Sequence, residues 1–289
     1  MDYARDDMIV NADWLAERLD TDGVRVIDCT VWFRPRPVGS SIIEGGHEHW
    51  LDQHIPGAGY LHMVDDLSDP DSDIPFTIAS QKRIDKRLGK LGIRATDTVV
   101  LYSAGTPIAA TRAWWVLTNS GLPDVRILDG GFKAWLDGGF EVAEGAEKFT
   151  PRTFQGTRNL AAIVSTDQMA AALENASATL VNALAPEQHA GTGGPHYGRP
   201  GRIPGSCNLP ARNLLNYETA RFASPDEMAG LLARELAEPD RAVITYCGGG
   251  IAATTTLFAL QLMGHRNLAM YDNSLLDWSA NPDLPMETD

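Results

Sequence analysis

The chain has 289 residues, of which 44% are hydrophobic and 21% charged, a composition typical of a globular protein and not of a disordered one. Its 38 acidic and 24 basic residues give a formal net charge of −14 at pH 7, which argues against nucleic acid or an anionic membrane as a partner, since both need a basic face. No apolar run approaches the ~20 residues of a membrane span, and the three scattered cysteines do not form a disulfide framework, so we expect a protein of the reducing cytoplasm.

Along the chain, short β-rich runs alternate with helical patterns. Residues Met1–Asp7 carry several acids and no apolar core, so we expect no signal peptide there. The predicted strands are 24–28, 98–102, 125–128, 179–183, 242–246 and 268–271. The predicted helices are 12–19, 80–89, 109–119, 132–137, 166–174, 225–236 and 252–263, with N-caps at Asn11 and near Ser165. This alternation predicts an α/β fold with a parallel sheet flanked by helices in each half.

The two halves of the chain repeat one another. At an offset of 143 residues, the matches are Ile108–Thr111 with Ile251–Thr254, Gly121 with Gly264, Asp129 with Asp272 and Trp135 with Trp278. A repeat of this length indicates a duplicated domain and not a solenoid unit. We predict a first domain at 8–140, a linker at 141–162 where the apolar periodicity is lost, and a second domain at 163–287.

A candidate nucleophile ends the predicted strand of the second half. Cys247 is followed by three glycines, and a helical pattern begins directly after them. Main-chain N–H groups and the positive end of the helix dipole then converge on the cysteine, whose thiol should ionise readily and act as a nucleophile. The first half has Ser103 in the matching place, which indicates one working copy. A buried structural cysteine ahead of a flexible turn is the alternative interpretation.

Several motifs in order carry a family resemblance. They are His54-Ile55-Pro56-Gly57-Ala58, its echo Arg202-Ile203-Pro204-Gly205-Ser206, Leu128-Asp129-Gly130-Gly131-Phe132 with Trp135, the Cys247 loop, and Leu284-Pro285-Met286-Glu287. From about Met8 to its C-terminus the chain resembles the tandem-domain rhodanese family, the thiosulfate and 3-mercaptopyruvate sulfurtransferases. The resemblance implies two rhodanese-like domains, each a parallel sheet with helices on both faces, and a catalytic cysteine in the second domain alone.

The resemblance also implies a chemistry for Cys247. Its thiolate takes a sulfur atom from a small anionic donor, forms a persulfide, and passes the sulfur to cyanide or a thiol acceptor, with no cofactor. Because the outer sulfur of a persulfide is large and partly anionic, it needs converging N–H donors. We predict that these come from the loop and first helical turn, at Gly248, Gly249, Gly250, Ile251, Ala252 and Ala253.

The loop matches neither branch of the family fully. Mercaptopyruvate enzymes usually have a serine where this chain has Gly249, an aspartate where it has His62, and a histidine where it has Phe76. Thiosulfate enzymes usually place arginine and lysine directly after the cysteine, where Gly248 and Gly249 stand. Since the residues associated with mercaptopyruvate are missing, we expect thiosulfate slightly ahead of 3-mercaptopyruvate as donor.

An anionic donor needs a cation, and the family's arginines lie before the second Ile-Pro-Gly. We therefore predict donor binding by Arg199 and His196, with Arg202 a weaker candidate. The alternative is that these arginines are solvated loop charges or brace the domain interface. His62 is predicted to form the first-domain wall of the cleft, with an acid or base role near neutral pH.

Other side chains carry weaker signals. A cluster of possible metal ligands contains His47, His49, His54 and His62, with Glu44 and Glu48 nearby. Their spacing matches no known metal-ligand pattern on one helix face, so we predict no metal site. Cys29 and Cys207 are expected to be packed thiols, although Cys207 could resolve an oxidised Cys247 if it lies close.

Two other functions remain open at this point. Cysteine phosphatases and arsenate reductases of the same fold need an arginine six residues after the cysteine, where this chain has Ala253. A non-catalytic module that binds a partner or carries a persulfide would keep the same loop, and the sequence does not separate it from an enzyme.

Overall fold

Two five-stranded parallel sheets, one from each half of the chain, organise the molecule. The structure is a computed structural model and describes residues 2–34, 36, 41–232 and 236–289. In the first sheet the strand order is β1-β7-β6-β2-β5. These strands are Ile9–Val10 (β1), Val24–Asp28 (β2), Gly59–Tyr60 (β5), Thr98–Tyr102 (β6) and Val125–Leu128 (β7). An antiparallel hairpin, Val31–Arg34 (β3) with Ile42–Gly45 (β4), projects from this half.

The second sheet repeats the first strand for strand, in the order β8-β14-β13-β9-β10. Its strands are Ile163–Val164 (β8), Thr179–Asn182 (β9), Cys207–Asn208 (β10), Val243–Tyr246 (β13) and Leu268–Tyr271 (β14). A short hairpin joins Leu215–Asn216 (β11) to Arg221–Phe222 (β12). The α/β fold with one parallel sheet in each half, predicted from the sequence, is confirmed.

Ten α-helices are found in the described part of the chain. They are Ala12–Ala16 (α1), His47–Asp52 (α2), Gln81–Lys90 (α3), Ile108–Thr118 (α4), Gly131–Asp137 (α5), Thr166–Asn175 (α6), Pro186–His189 (α7), Pro225–Leu231 (α8), Ala252–Leu262 (α9) and Ser274–Trp278 (α10). Short 3-10 turns occur at Asp6–Met8, Leu160–Ala162 and Ala211–Leu214. No helix in these described ranges is both long and apolar enough to cross a membrane.

The predicted elements are present, with differences at their ends. The Asn11 side chain accepts a hydrogen bond from the Trp14 N–H, and Ser165 forms a reciprocal capping box with Gln168, as predicted caps should. The predicted helix 12–19 ends early at Ala16, and 225–236 ends at Leu231, just before residues 233–235, which lie outside the described part. The two-residue edge strands were not predicted, because two residues carry no periodicity.

The segment between the two sheets packs against the first half. Ala143 and His54 form an antiparallel bridge, with both N–H···O distances at 2.9 Å. Further along, the Phe154 side chain is buried, and Arg152 N–H donates to the Gly89 carbonyl. Residues 141–162 therefore connect the halves as a packed segment and not as a loose tether, while the domain boundaries at 140 and 162 stay predictions.

Helices α4 and α9, which are equivalent in the repeat, meet at the interface between the two halves. Thr111 Oγ1 lies 3.1 Å from Thr254 Oγ1, and these two residues are equivalent in the repeat. One turn further on, Trp114 meets Phe258 edge to face, with ring centroids 4.9 Å apart. Since residues of both halves join one continuous core cluster, the interface is part of the hydrophobic core.

Reciprocal carboxylate contacts secure the same interface. Asp129, at the end of β7, accepts a hydrogen bond from the Phe222 N–H of the second half at 2.9 Å. Its repeat equivalent Asp272 accepts one from the Ile78 N–H of the first half at 2.8 Å. Each half therefore bonds to the other through an aspartate at the end of an equivalent strand, Asp129 after β7 and Asp272 after β14.

The burial of Asp129 makes a testable prediction about pH. Burial raises the pKa of the Asp129 carboxyl, and the hydrogen bond from the Phe222 N–H and the charge of Arg221 only partly offset this. The folded state therefore binds the proton more tightly than the unfolded state, and stability falls as pH rises through the raised pKa. Asp129→Asn keeps the acceptor oxygen and removes the buried charge, so its melting temperature relative to wild type should increase between pH 4 and pH 7.

Asp137→Asn is the matched control, because Asp137 is exposed and bonds only to Lys133 among the described residues. Thermal unfolding of both variants across that pH range is the measurement. A relative melting temperature of Asp129→Asn that stays constant or falls with rising pH would refute the assignment.

Candidate active site

Cys247 lies at the carboxyl end of β13, in the middle of the second sheet, and only 2% of it is exposed. Four residues separate it from the start of α9 at Ala252. The predicted arrangement of strand, glycine loop and helix is thus present. In parallel sheets, ligands bind beyond the carboxyl ends of the strands, and Cys247 occupies such an end.

A main-chain N–H points at the cysteine sulfur. Gly250 N–H donates to Cys247 Sγ over an N···S distance of 3.1 Å. Gly250 has a φ of +83°, and a Cβ there would lie 2.3 Å from the Asp272 carbonyl oxygen, so a side chain is excluded at this position. Of the six donors predicted from the sequence, Gly250 is the one seen bonded to the sulfur among the described contacts.

The start of α10 fixes the other side of the loop. Ser274 adopts a left-handed φ of 54°, and its Oγ accepts the Cys247 N–H at 3.1 Å while donating to the Tyr271 carbonyl at 2.9 Å. Leu275 N–H donates to the Cys247 carbonyl, and Leu276 N–H to the Gly248 carbonyl. The backbone on both sides of the sulfur is therefore held by a second element.

A buried arginine from the first half reaches this loop. Arg112 Nη1, from α4, donates to the Gly250 carbonyl at 3.0 Å and to Asp272 Oδ1 at 2.7 Å. Its Nη2 donates to the Phe76 carbonyl, and its guanidinium lies over the Trp115 ring. Because Arg112 is fully buried and Asp272 is 5% exposed, the pair is an internal ion pair that joins the two halves at the loop.

The sulfur faces a small pocket between the halves, with a volume of about 230 Å³. From the first half it is lined by Phe33, Ser41, Ile43, Phe76 and Ile108. From the second half it is lined by Leu184, Tyr197, Ile251 and Ala252, next to Cys247 and Gly249. Among the described residues, no lining side chain carries a charge. The pocket thus combines a mainly apolar wall, with the hydroxyl side chains of Ser41 and Tyr197, and the polar main chain of the Cys247 loop.

Tyr197 is a pocket residue that the sequence analysis did not single out. Its ring covers Gly248 so closely that a Cβ on Gly248 would lie 2.2 Å from the Tyr197 Cζ. Burial, and then the charge of Cys247, raise the pKa of the Tyr197 hydroxyl to about 12. The hydroxyl therefore stays protonated at neutral pH. Gly248, the first of the three glycines after Cys247, therefore has no room for a side chain, because the Tyr197 ring fills that space.

The predicted donor-binding arginines contact the C-terminal segment. The Arg199 guanidinium donates to the carbonyls of Ser279, Asn281 and Leu284 at 3.0, 2.8 and 2.9 Å. Arg202 pairs with Asp289 at 2.7 Å and with Glu287, and 11% of its side chain is exposed. Neither side chain lines the pocket, and their contacts agree with the bracing alternative and not with a free anion site.

The two predicted histidines also lie outside the pocket wall. His196 borders a separate cavity of about 10 Å³ next to Arg199. His62 accepts the Asp65 N–H at its Nδ1 over 2.9 Å and lies against Gly45. The first-domain wall predicted from His62 is formed instead by Phe33, Ile43 and Phe76.

The remaining sequence candidates are placed as follows. Cys29 is buried with its Sγ 2.9 Å from the Tyr102 carbonyl, and burial raises the pKa of its thiol well above the usual value. Cys207 pairs with Val181 in the sheet and does not line the pocket. Within the described ranges, no group of three or more His, Cys, Asp or Glu side chains is arranged to hold a metal ion.

Comparison with known proteins gives consistent matches over the whole chain. Residues 11–137 and 165–281 each match the rhodanese-like domain. The 3-mercaptopyruvate sulfurtransferase of Escherichia coli K12 is 30% identical over 280 residues, covering 96% of this chain and 97% of the relative. A protein named putative thiosulfate sulfurtransferase SseB from Mycobacterium tuberculosis is 29% identical, with 98% of each chain covered.

Solved structures show the same architecture. SseA from Escherichia coli, described as a 3-mercaptopyruvate sulfotransferase with the rhodanese fold, superposes with a TM-score of 0.78 at 27% identity, covering 92% of this chain and 98% of that one. The anaerobic ergothioneine biosynthesis enzyme of Chlorobium limicola gives a TM-score of 0.83 at 23% identity, covering 99% of this chain and 71% of that one. At that identity the second likeness bears on the fold alone.

Removing the buried cation should disrupt the loop. Arg112→Met leaves Asp272 buried without its partner, which typically costs about 3–5 kcal/mol of unfolding free energy. It also frees the Gly250 carbonyl, so alkylation of Cys247 by iodoacetamide should slow. Arg266→Met is the control, because its ion pair with Asp240 is largely exposed, and it should change stability by at most ~0.5 kcal/mol.

Adding Asp272→Asn to Arg112→Met should recover part of the stability, since no buried charge is then left unpaired. Urea unfolding and alkylation rates measure both effects. Wild-type stability and wild-type alkylation in Arg112→Met would show that the loop does not depend on this residue.

Proposed function

The chain belongs to the rhodanese family and is a sulfurtransferase with two rhodanese-like domains, and on that basis we propose that Cys247 carries the sulfur as a persulfide. The observation that supports this most directly is the Gly250 N–H donated to the sulfur in a loop without side chains. The pocket of about 230 Å³ against Cys247 leaves room for a second sulfur atom beside the first. Ser103, in the matching place of the first half, offers no thiol.

The reaction divides into two displacements. In the first, the Cys247 thiolate attacks the sulfur of the donor, forming an S–S bond while the donor's S–C or S–S bond breaks and its electron pair leaves with the donor fragment. In the second, a thiolate or cyanide attacks the outer sulfur. The S–S bond to Cys247 then breaks, and its electron pair restores the thiolate. Because the transferred sulfur is bound covalently to Cys247 between the two steps, the cycle needs no cofactor.

Main-chain N–H donors stabilise the anionic sulfur of Cys247 both as the thiolate and as the persulfide. The N–H groups of Gly249, Ile251 and Ala252 have no acceptor among the described residues, and they precede or begin α9, an 11-residue helix whose dipole adds positive potential. Hydrogen bonds to a charged group contribute roughly 1.5–3 kcal/mol each. Two or three such bonds to the outer sulfur would favour the persulfide without any charged neighbour.

We propose 3-mercaptopyruvate, and not thiosulfate, as the preferred donor, and the charge of the two donors supports this order. Thiosulfate carries two negative charges and 3-mercaptopyruvate one, and the cost of taking an ion out of water rises with its charge. No lining side chain among the described residues supplies a cation, since Arg199 and Arg202 bond to the C-terminal segment. The Escherichia coli and human relatives named 3-mercaptopyruvate sulfurtransferase support this order, whereas the Mycobacterium tuberculosis relative named putative thiosulfate sulfurtransferase does not. The proposed order reverses the preference drawn from the motifs.

The other functions considered from the sequence lack support at the site. Ala253, fully buried in the first turn of α9, stands where a phosphatase or arsenate reductase would need its arginine clamp. A pure persulfide carrier would share the loop, and turnover with an acceptor separates it from an enzyme. A cytoplasmic location remains part of the proposal, supported by the acidic composition and the scattered cysteines.

Mass spectrometry tests the role of Cys247. Treatment with 3-mercaptopyruvate should add about 32 Da, one sulfur atom, to the peptide that contains Cys247. Cys247→Ser should lose the adduct and the turnover, whereas Cys29→Ser and Cys207→Ser should keep both, because neither residue lines the pocket. An adduct on another cysteine, or full turnover in Cys247→Ser, would contradict the proposal.

A cyanolysis assay with both donors tests the donor. We expect kcat/KM for 3-mercaptopyruvate to exceed that for thiosulfate by about tenfold or more, since an additional 1.4 kcal/mol of desolvation is worth that factor. Equal values, or a preference for thiosulfate, would contradict the proposed donor.

A further inference from the structure

The hydroxyl end of Tyr197 lies against the residue that follows the nucleophile. The floor of the pocket is the main chain of the Cys247 loop, and the Tyr197 side chain lines the pocket beside it. A Cβ built on Gly248 would have three atoms of this ring as its nearest neighbours, Cζ at 2.2 Å and the two Cε atoms at 2.3 Å. Because Cζ carries the hydroxyl, the polar end of the ring faces the start of the loop.

The Tyr197 hydroxyl is held in place and is free to donate its proton. The Tyr197 carbonyl accepts a hydrogen bond from Ser279 Oγ, which fixes the main chain, whereas the hydroxyl has no hydrogen-bond partner within the described part of the chain. Burial, and then the charge of Cys247, raise the pKa of this hydroxyl to about 12, so it is still protonated when the Cys247 thiolate attacks. A positioned and protonated O–H group beside a nucleophile has the properties of a general acid.

Tyr197 is also the most acidic O–H group on the pocket wall. Apart from Cys247, the polar side chains that line the pocket among the described residues are those of Ser41 and Tyr197. A phenol has an ordinary pKa of about 10, whereas the aliphatic hydroxyl of serine does not titrate in the accessible range. Gly249 and Phe76, which line the same pocket, offer no acidic proton.

The proposed donor needs such a proton, and donors of the thiosulfate type do not. When the S–C bond of 3-mercaptopyruvate breaks, its electron pair passes to carbon and gives the enolate of pyruvate, a strong base. When the S–S bond of thiosulfate or a thiosulfonate breaks, the fragment leaves as sulfite or a sulfinate, which are weakly basic anions. An enolate carbon is a much stronger base than a phenolate, so a weak acid suffices to protonate it.

Resting on the proposed function, we propose that Tyr197 is the proton donor to the leaving group of 3-mercaptopyruvate. The Cys247 thiolate attacks the donor sulfur, an S–S bond forms, and the S–C bond breaks with its electron pair on carbon. The Tyr197 O–H gives its proton to that carbon, which becomes the methyl group of pyruvate, and a tyrosinate remains. The new Cys247 persulfide then returns a proton to the tyrosinate oxygen, since S–H groups are stronger acids than phenols. No oxidant, reductant or further reactant is consumed.

Two donors of equal charge separate proton donation from the other roles that Tyr197 could have. 3-Mercaptopyruvate and methanethiosulfonate each carry one negative charge, but the first leaves as an enolate and the second as methanesulfinate. Single-turnover loading of Cys247 is followed by quenched-flow mass spectrometry as a gain of about 32 Da. Alkylation by iodoacetamide, which releases iodide and needs no proton, reports the reactivity of the Cys247 thiolate alone.

Tyr197→Phe removes the hydroxyl and keeps the ring over Gly248. A general acid typically contributes roughly 10²–10⁴-fold, so loading from 3-mercaptopyruvate should slow by about 100-fold or more. Loading from methanethiosulfonate and alkylation by iodoacetamide should stay close to the wild-type rates. Tyr217→Phe is the matched control, because Tyr217 is 57% exposed and lies outside the pocket, and it should keep the wild-type rates with all three reagents.

The failures of this inference and of the proposed function are distinguishable. No loss of rate with 3-mercaptopyruvate in Tyr197→Phe, or a loss of the same size in alkylation or in loading from methanethiosulfonate, would overturn the role of Tyr197 and leave Cys247 as the sulfur carrier. A selective loss in Ser41→Ala in place of Tyr197→Phe would also overturn it, because Ser41 would then be the acid. Wild-type protein that loads from methanethiosulfonate alone would contradict the proposed donor, and wild-type protein that loads from neither donor would contradict the proposed function.

Discussion

The ion pair between Arg112 and Asp272 is the interaction on which the site depends. It lies in the interior, where an unpaired charge would be very unfavourable, and it joins one half of the chain to the other. The same guanidinium holds the carbonyl of Gly250, whose N–H meets the sulfur, and the carbonyl of Phe76, whose ring forms the wall. One buried cation therefore sets both the polar floor and the apolar wall of the pocket.

The two halves share one fold but contribute different parts of the active site. The sheets are equivalent strand for strand, and Asp129 and Asp272 bond across the interface in the same way. The symmetry breaks at the repeat partner of Arg112, which is Thr255, so no corresponding arginine reaches toward Ser103. The first half supplies the cation and about half of the pocket wall, and the second half supplies the thiol, its loop and the rest of the wall.

The sequence predicted what depends on local pattern. Strand periodicity and the glycine loop after Cys247 lie within short windows, and the repeat offset of 143 residues appears when the chain is compared with itself. The fold drawn from these signals is confirmed. The site walls depend on contacts between distant positions: Arg112 and Asp272 are 160 residues apart, and neither Ser274 nor Tyr197 has a periodic signal. An arginine within the apolar helix 109–119 was the available clue. Conversely, Arg199 and Arg202 were predicted to bind the donor because they look like free cations in the sequence. Their actual partners lie some eighty residues further along the chain, where a local pattern does not show them.

The central claim is that main-chain N–H groups, held in place from both halves, stabilise the reactive sulfur without a charged side chain beside it. A crystal structure of the donor-treated protein tests this most directly. The account predicts an outer sulfur on Cys247 within hydrogen-bond distance of several N–H groups between Gly248 and Ala253, facing an apolar wall. An outer sulfur bonded to an arginine or histidine side chain, or turned away from the loop, would contradict it.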